Sequence, residues 1–152
     1  MQTAPGLRLT CAMNSTQEQI IVCVDDDPFI LQILSHQLKK RSRFDWLDVE
    51  TYTDPVEALE SLTELMEDGV PVPLLIVDYR MPQMNGAELV RKLKTMGLDS
   101  RYLMLSGQAN SSDVDQLFRE GLLDAFHEKP WSEDELLGKI RELVPALKDL
   151  CN

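Results

Sequence analysis

Five side chains in this sequence have the types and the spacing to do chemistry together: Asp25 and Asp26, Asp78, Ser106 and Lys129. Each stands at or just past the end of a short apolar run. The aspartate pair follows "QIIVCV", Asp78 ends "LLIVD", Ser106 ends "LMLS", and Lys129 lies just past "AFHE", before Pro130. Three carboxylates gathered at neutral pH repel one another, and one takes up a proton unless a cation sits among them. A hard divalent ion removes that conflict, and Mg2+ suits a site with few carboxylates that keeps waters and phosphate oxygens around the metal. A phosphoryl group held there needs further positive charge and a hydrogen-bond donor for its remaining oxygens. Lys129 supplies the first and Ser106 the second. Asp78, at the end of the most apolar run, is the candidate nucleophile, because carboxylates form acyl phosphates. In a dissociative phosphoryl transfer the protein mainly positions the groups and screens charge.

The elements that must bring these residues together alternate along the chain. The runs "QIIVCV", "WLDVETY", "PLLIVD", "RYLMLS" and "DAFHE" have strand length, and each is followed by a segment of helical periodicity. In the first helix Phe29, Ile30, Ile33, Leu34, Gln37 and Leu38 recur at helical spacing. Asp27-Pro28 and Asp54-Pro55 read as cap and first helical position, Ser111 or Ser112 as the fourth cap, and Ser132 as the fifth. Gly69 and Gly97 read as stops, and Pro145 should end or kink the last helix near Val144. Five strands alternating with five helices, with near-continuous apolar strands, imply a doubly wound α/β fold: a parallel sheet with helices on both faces. In such sheets functional groups gather beyond the carboxyl ends of the strands, where these five residues stand.

The 152 residues, 43% hydrophobic and 27% charged, suit one domain with a full core. A net charge of −11 argues against a nucleic-acid-binding surface, which needs a basic face. No apolar run reaches the roughly 20 residues that a membrane span requires, and "MQTAPGLRLTCAMNSTQEQ" lacks a signal-peptide core. Cys11, Cys23 and Cys151 fit neither a disulfide framework nor a metal site, which points to a reducing cytoplasm. Residues 1–18 lack periodicity and are expected to be a flexible tail ahead of a domain over residues 19–150.

Four stretches, "VCVDDDP", "LLIVDYRMPQMNGAEL", "LMLSGQA" and "FHEKPWSEDEL", resemble the receiver domain of two-component response regulators, over residues from about 19 to 147. The likeness rests on the acidic pair, the D-x-x-M-P-x-M-x-G run, Ser-Gly and Lys-Pro occurring in that order. It implies a flavodoxin-like sheet of strand order 2-1-3-4-5. It implies that Asp78 accepts a phosphoryl group from a histidine kinase or histidine phosphotransfer protein and later loses it to water. The chain would then be a phosphoacceptor rather than a turnover enzyme. Asp25, Asp26, Asp78 and the main-chain carbonyl of Arg80 would hold Mg2+, with Ser106 and Lys129 on the phosphoryl oxygens. The Lys129-Pro130 bond is expected to be cis. In the implied switch, Ser106 moves toward the phosphate and the Phe126 ring turns inward behind it. Output would come from residues of about 107 to 147, the fourth helix, fifth strand and fifth helix, as a homodimer contact or the docking site of an output partner or effector. Arg80 and Gln108 flank the pocket where such domains tune the lifetime of the phosphate.

Other residues read more plainly. Asp27 is the first helix cap, His36 a solvated helix residue, His127 structural and Cys23 a small core residue. Two rival chemistries fit poorly. A phosphatase of the aspartyl-phosphate type needs an acid two residues after its nucleophile, where this chain has Arg80. A flavin-binding carrier of the same fold needs a neutral phosphate loop at a helix N-terminus, whereas the loop here is acidic. The alternative kept open is a receiver-like interaction module that no longer undergoes phosphorylation.

Overall fold

The computed structural model describes residues 18–41, 47–107 and 111–147; Gln108 and residues 1–17 of the expected tail lie outside the described residues. Five strands, β1 (Gln19–Val24), β2 (Leu47–Tyr52), β3 (Leu74–Val77), β4 (Arg101–Ser106) and β5 (Ala125–Glu128), alternate with five α-helices. These are α1 (Pro28–Arg41), α2 (Pro55–Glu67), α3 (Gly86–Met96), α4 (Ser111–Arg119) and α5 (Glu133–Leu143). Every strand pairing is parallel, and the order is β2-β1-β3-β4-β5. This is the flavodoxin-like sheet that the sequence resemblance implies. Among the described residues no helix is long and apolar enough to cross a membrane.

Side-chain alternation along the strands divides the apolar residues between two cores. Val22 and Val24, Leu75 and Val77, and Tyr102 and Met104 face one way, where Leu62 of α2, Leu93 of α3 and Leu117 of α4 cover them. Ile21 and Cys23, Leu74 and Ile76, and Leu103 and Leu105 face the other way, under Leu34 of α1 and Leu137 of α5. Strand β3 is buried at all positions because both faces are covered. Edge strand β2 alternates.

The helices begin and end where local chemistry satisfies their free backbone groups. Asp27 Oδ1 accepts the Phe29 N–H at 3.0 Å and Asp54 Oδ1 accepts the Val56 N–H at 2.9 Å. Asn85 and Glu88 form a reciprocal capping box at α3, and Gly97 closes that helix at φ 91°. Pro145 follows the end of α5 and opens a short 3-10 turn, Pro145–Leu147. Two expectations change. Helix α4 starts at Ser111, so Ser111 and Ser112 both lie inside its first turn rather than at the cap before it. In α1 the buried stripe is Leu31, Leu34 and Leu38, while Phe29 is 70% and Ile33 39% exposed. Apolar residues occupy several sides of that helix, so periodicity did not select the face that meets the sheet.

Candidate functional site

The strand register sets the candidate residues at one edge. Val24 pairs with Val77, and Val77 with Met104, so Asp25 and Asp78 emerge side by side. The Asp78 N–H continues the ladder by donating to the Val24 carbonyl at 2.9 Å. Ser106 pairs with Glu128, and the Lys129 N–H donates to the Ser106 carbonyl at 3.2 Å. All five candidates therefore lie beyond or at the carboxyl ends of β1, β3, β4 and β5. The Lys129-Pro130 peptide is cis, as the resemblance implies.

The acidic triplet divides its work. Asp25 is 3% exposed, with Oδ1 accepting the Asp27 N–H at 2.9 Å and Oδ2 accepting from Lys129 Nζ at 2.7 Å. Asp78 is 5% exposed; its Oδ1 accepts the Tyr79 N–H at 2.8 Å and its Oδ2 lies 3.4 Å from the same ammonium. Asp26 is exposed, and Asp27 caps α1. One carboxylate oxygen from each of Asp25, Asp26 and Asp78 lies within 4.8 Å of the others. Oxygen donors of this charge and closeness fit a hard divalent cation.

Charge and burial compete here. Burial pushes the Asp25 carboxyl above its ordinary value; Lys129 and the Asp27 amide pull it back, and the Asp78 charge adds to the rise. Burial alone would lower the Lys129 ammonium, but the hydrogen bond and charge of Asp25, with the charge of Asp78, outweigh it and the net shift is upward. The lysine thus stays charged between two buried carboxylates. Without it they would repel at short range.

Ser106 is buried, and Phe126 is half-buried against the core beside α4. Both line a cavity of about 370 Å3 with Gly107, Val114 and Phe118. Arg80 is exposed, His36 is solvated, and His127 Nε2 lies 4.0 Å from a Glu135 carboxylate oxygen.

Sequence reasoning missed three participants around Asp78. Gly86, the last residue of the D-x-x-M-P-x-M-x-G run, packs against the acceptor: a Cβ there would sit 2.3 Å from the Asp78 carbonyl oxygen. Tyr79 holds Asp78 through its main chain and donates its hydroxyl to Asp113 in the first turn of α4. That bond, then burial, pushes the phenol up to about 12. A buried aromatic directly after the acceptor was a signal for Tyr79; nothing local pointed to Asp113.

Comparison with known proteins gives the family and the fold. The profile of the response regulator receiver domain matches residues 21–141. The chain is 31% identical over 136 residues to the response regulator protein TmoT of Ectopseudomonas mendocina, an alignment covering 88% of this chain and 57% of that relative. It is 27% identical over 130 residues to two-component response regulator 24 of Arabidopsis thaliana, covering 86% of this chain and 88% of the plant protein. The crystal structure of a CheY-like receiver domain protein from Methanospirillum hungatei JF-1 superposes with a TM-score of 0.70 at 25% identity, covering 86% of this chain and 96% of that one. The chain spans little more than half the length of several such relatives, 57% for TmoT and 52% for MprA of Mycobacterium leprae. With this profile over most of its length and these residues at its strand ends, the chain belongs to the response regulator receiver domain family of two-component systems.

Proposed function

We propose that this domain takes a phosphoryl group onto Asp78 from a phosphohistidine of a histidine kinase or phosphotransfer protein, in a Mg2+-dependent reaction, and later releases it as phosphate. The N–P bond of the donor breaks as an O–P bond to the Asp78 carboxylate forms, and the leaving imidazole takes up a proton. Attack of water on phosphorus then restores the carboxylate. Asp25, Asp26, Asp78 and the Arg80 main-chain carbonyl would hold the metal. Once bound, Mg2+ supplies positive charge against the carboxylates and the incoming phosphoryl oxygens. Lys129 adds a fixed positive charge and Ser106 a hydroxyl donor. Phe126 would follow Ser106 inward, toward the cavity they share, and alter the α4-β5-α5 face that an output partner or a second copy reads.

One observation carries this reading: the Lys129 ammonium stands 2.7 Å from Asp25 and 3.4 Å from Asp78, beside a third carboxylate. Such a site is poised to bind a cation and an anion together. Incubation with a small acyl phosphate and Mg2+ should give a base-labile label on the protein. Asp78→Asn or a chelator should abolish it. Equal labelling of parent and Asp78→Asn would remove Asp78 as the nucleophile. No label on either protein would favour an interaction module without a phosphorylation cycle.

A further inference from the structure

Beyond the groups assigned to phosphoryl transfer, Tyr79 joins the acceptor loop to helix α4. All three of its polar groups are engaged. Its N–H donates to Asp78 Oδ1 at 2.8 Å, its carbonyl accepts the Gly86 N–H at 2.7 Å, and its hydroxyl donates to Asp113 Oδ2. The ring is buried in the core that also holds Met104, Val114 and Leu117, against which Phe126 packs. Val114, next to Asp113, lines the cavity beside Ser106 and Phe126. A shift of the first turn of α4 therefore pulls on a residue whose main chain grips the acceptor carboxylate.

We propose that Tyr79 is a positioning residue: through its bond to Asp113 it clamps the first turn of α4 to the acceptor loop and favours the unphosphorylated arrangement. The inference rests on the reading of Asp78 as phosphoacceptor. A restraint present in the free protein weakens any ligand whose binding requires that restraint to yield, by as much as the restraint stabilises the free form. A hydrogen bond between a hydroxyl and a carboxylate is strong enough to shift such an equilibrium by about tenfold. This path from acceptor to α4 is separate from the one through Ser106 and Phe126.

The test titrates beryllofluoride, a phosphoryl mimic, with Mg2+ into the full chain and its variants, with Asp78→Asn as control. Tyr79→Phe keeps the ring and main chain and should bind the mimic about tenfold more tightly than the parent. Asp113→Asn keeps an acceptor oxygen and should fall between the two. Tyr79→Phe combined with Asp113→Ala should bind no more tightly than Tyr79→Phe alone, because both remove one bond. Amide exchange in the first turn of α4 should quicken in Tyr79→Phe without ligand. A purely structural tyrosine would lower the melting midpoint and leave the affinity flat. Unchanged or weaker binding by Tyr79→Phe, with Asp78-dependent binding intact in the parent, overturns the clamp alone. A parent that shows no Asp78-dependent binding overturns the phosphoacceptor reading and the clamp with it.

Discussion

At the scale of single residues, the site is an electrostatic compromise that Lys129 holds together. Its ammonium is shared by two buried carboxylates, at 2.7 and 3.4 Å. Breaking such a pair from the cationic side leaves uncompensated buried charge, which costs more than the pair itself stabilises. Lys129→Met should therefore lower stability by about 3–5 kcal/mol in the absence of divalent ions. Millimolar Mg2+ should recover more of it in the variant than it adds to the parent. Urea denaturation with chelator and with Mg2+ measures both. Equal Mg2+ gains would show that the carboxylates do not share one cation site. A second prediction concerns Tyr102, fully buried with its hydroxyl donating to the Leu98 carbonyl at 3.0 Å. Burial, aided by the charges of Asp124 and Asp99, pushes its pKa well above the ordinary tyrosine value. In the unfolded chain the phenol ionises near pH 10, so above that pH the unfolded state sheds a proton that the folded state keeps. Stability then falls as pH rises, by up to about 1.4 kcal/mol per pH unit. Tyr102→Phe should cost roughly 1 kcal/mol at neutral pH and flatten the alkaline limb. Cys23, pushed to about 12 by burial and by Asp25, has the same sign and leaves part of that limb in place. Equal slopes in parent and variant would remove Tyr102 as a cause.

At the scale of elements, the start of α3 is pressed against the acceptor. The Gly86 N–H donates to the Tyr79 carbonyl at 2.7 Å, and an added Cβ would meet Asp78 backbone atoms at 2.3 and 3.1 Å. Backbone cannot swing aside as a side chain can, so Gly86→Ala must move the helix start or the loop. We expect a loss of about 1–3 kcal/mol together with slower labelling of Asp78. Gly97→Ala makes the control. Its φ of 91° strains an alanine, by about 1 kcal/mol, but nothing lies within 4 Å of the added carbon. Its labelling rate should match the parent. If both variants label alike, the packing of Gly86 does not reach the chemistry. The contrast also shows where sequence was sufficient. Asp25, Asp78 and Ser106 were legible because each apolar run stops at its first polar residue, and in a parallel sheet those stops share an edge. Lys129 follows polar His127 and Glu128, and was legible only with the other site residues in order and the Lys-Pro step beside it. The caps at Asp27, Asp54 and Ser132 were legible because capping is local. The Gly86 contact was not, since it depends on the path of the loop from Asp78 to α3. Nor was the bond from Tyr79 to Asp113, whose partners stand 34 positions apart. The exposed Phe29 and Ile33 misled because an apolar residue shows its pattern but not its neighbour.

At the scale of the whole molecule, the two cores draw, among the described residues, on residues between Ile20 and Leu147, and the family profile matches within the same span. We propose residues 19–150 as the folding unit. Each core draws on all the central strands, so neither face holds together without the other, and unfolding should be a single cooperative step. A folding unit so bounded predicts that a chain shortened to residues 18–152 melts within about 2 °C of the full chain, since changes outside such a unit stay near 0.5 kcal/mol. It should also respond fully to ligand. Saturation with Mg2+ and beryllofluoride at about 100 times Kd stabilises the folded state by about 2.7 kcal/mol, or a rise of about 5–10 °C for a domain of this size. Differential scanning calorimetry of both chains, with and without the mimic, reads midpoint and cooperativity together. The expected result is one transition in each, displaced equally by ligand. A shortened chain that folds but loses the displacement would place part of the ligand's contacts in residues 1–17. One that melts in two steps would divide the cores that the sheet joins.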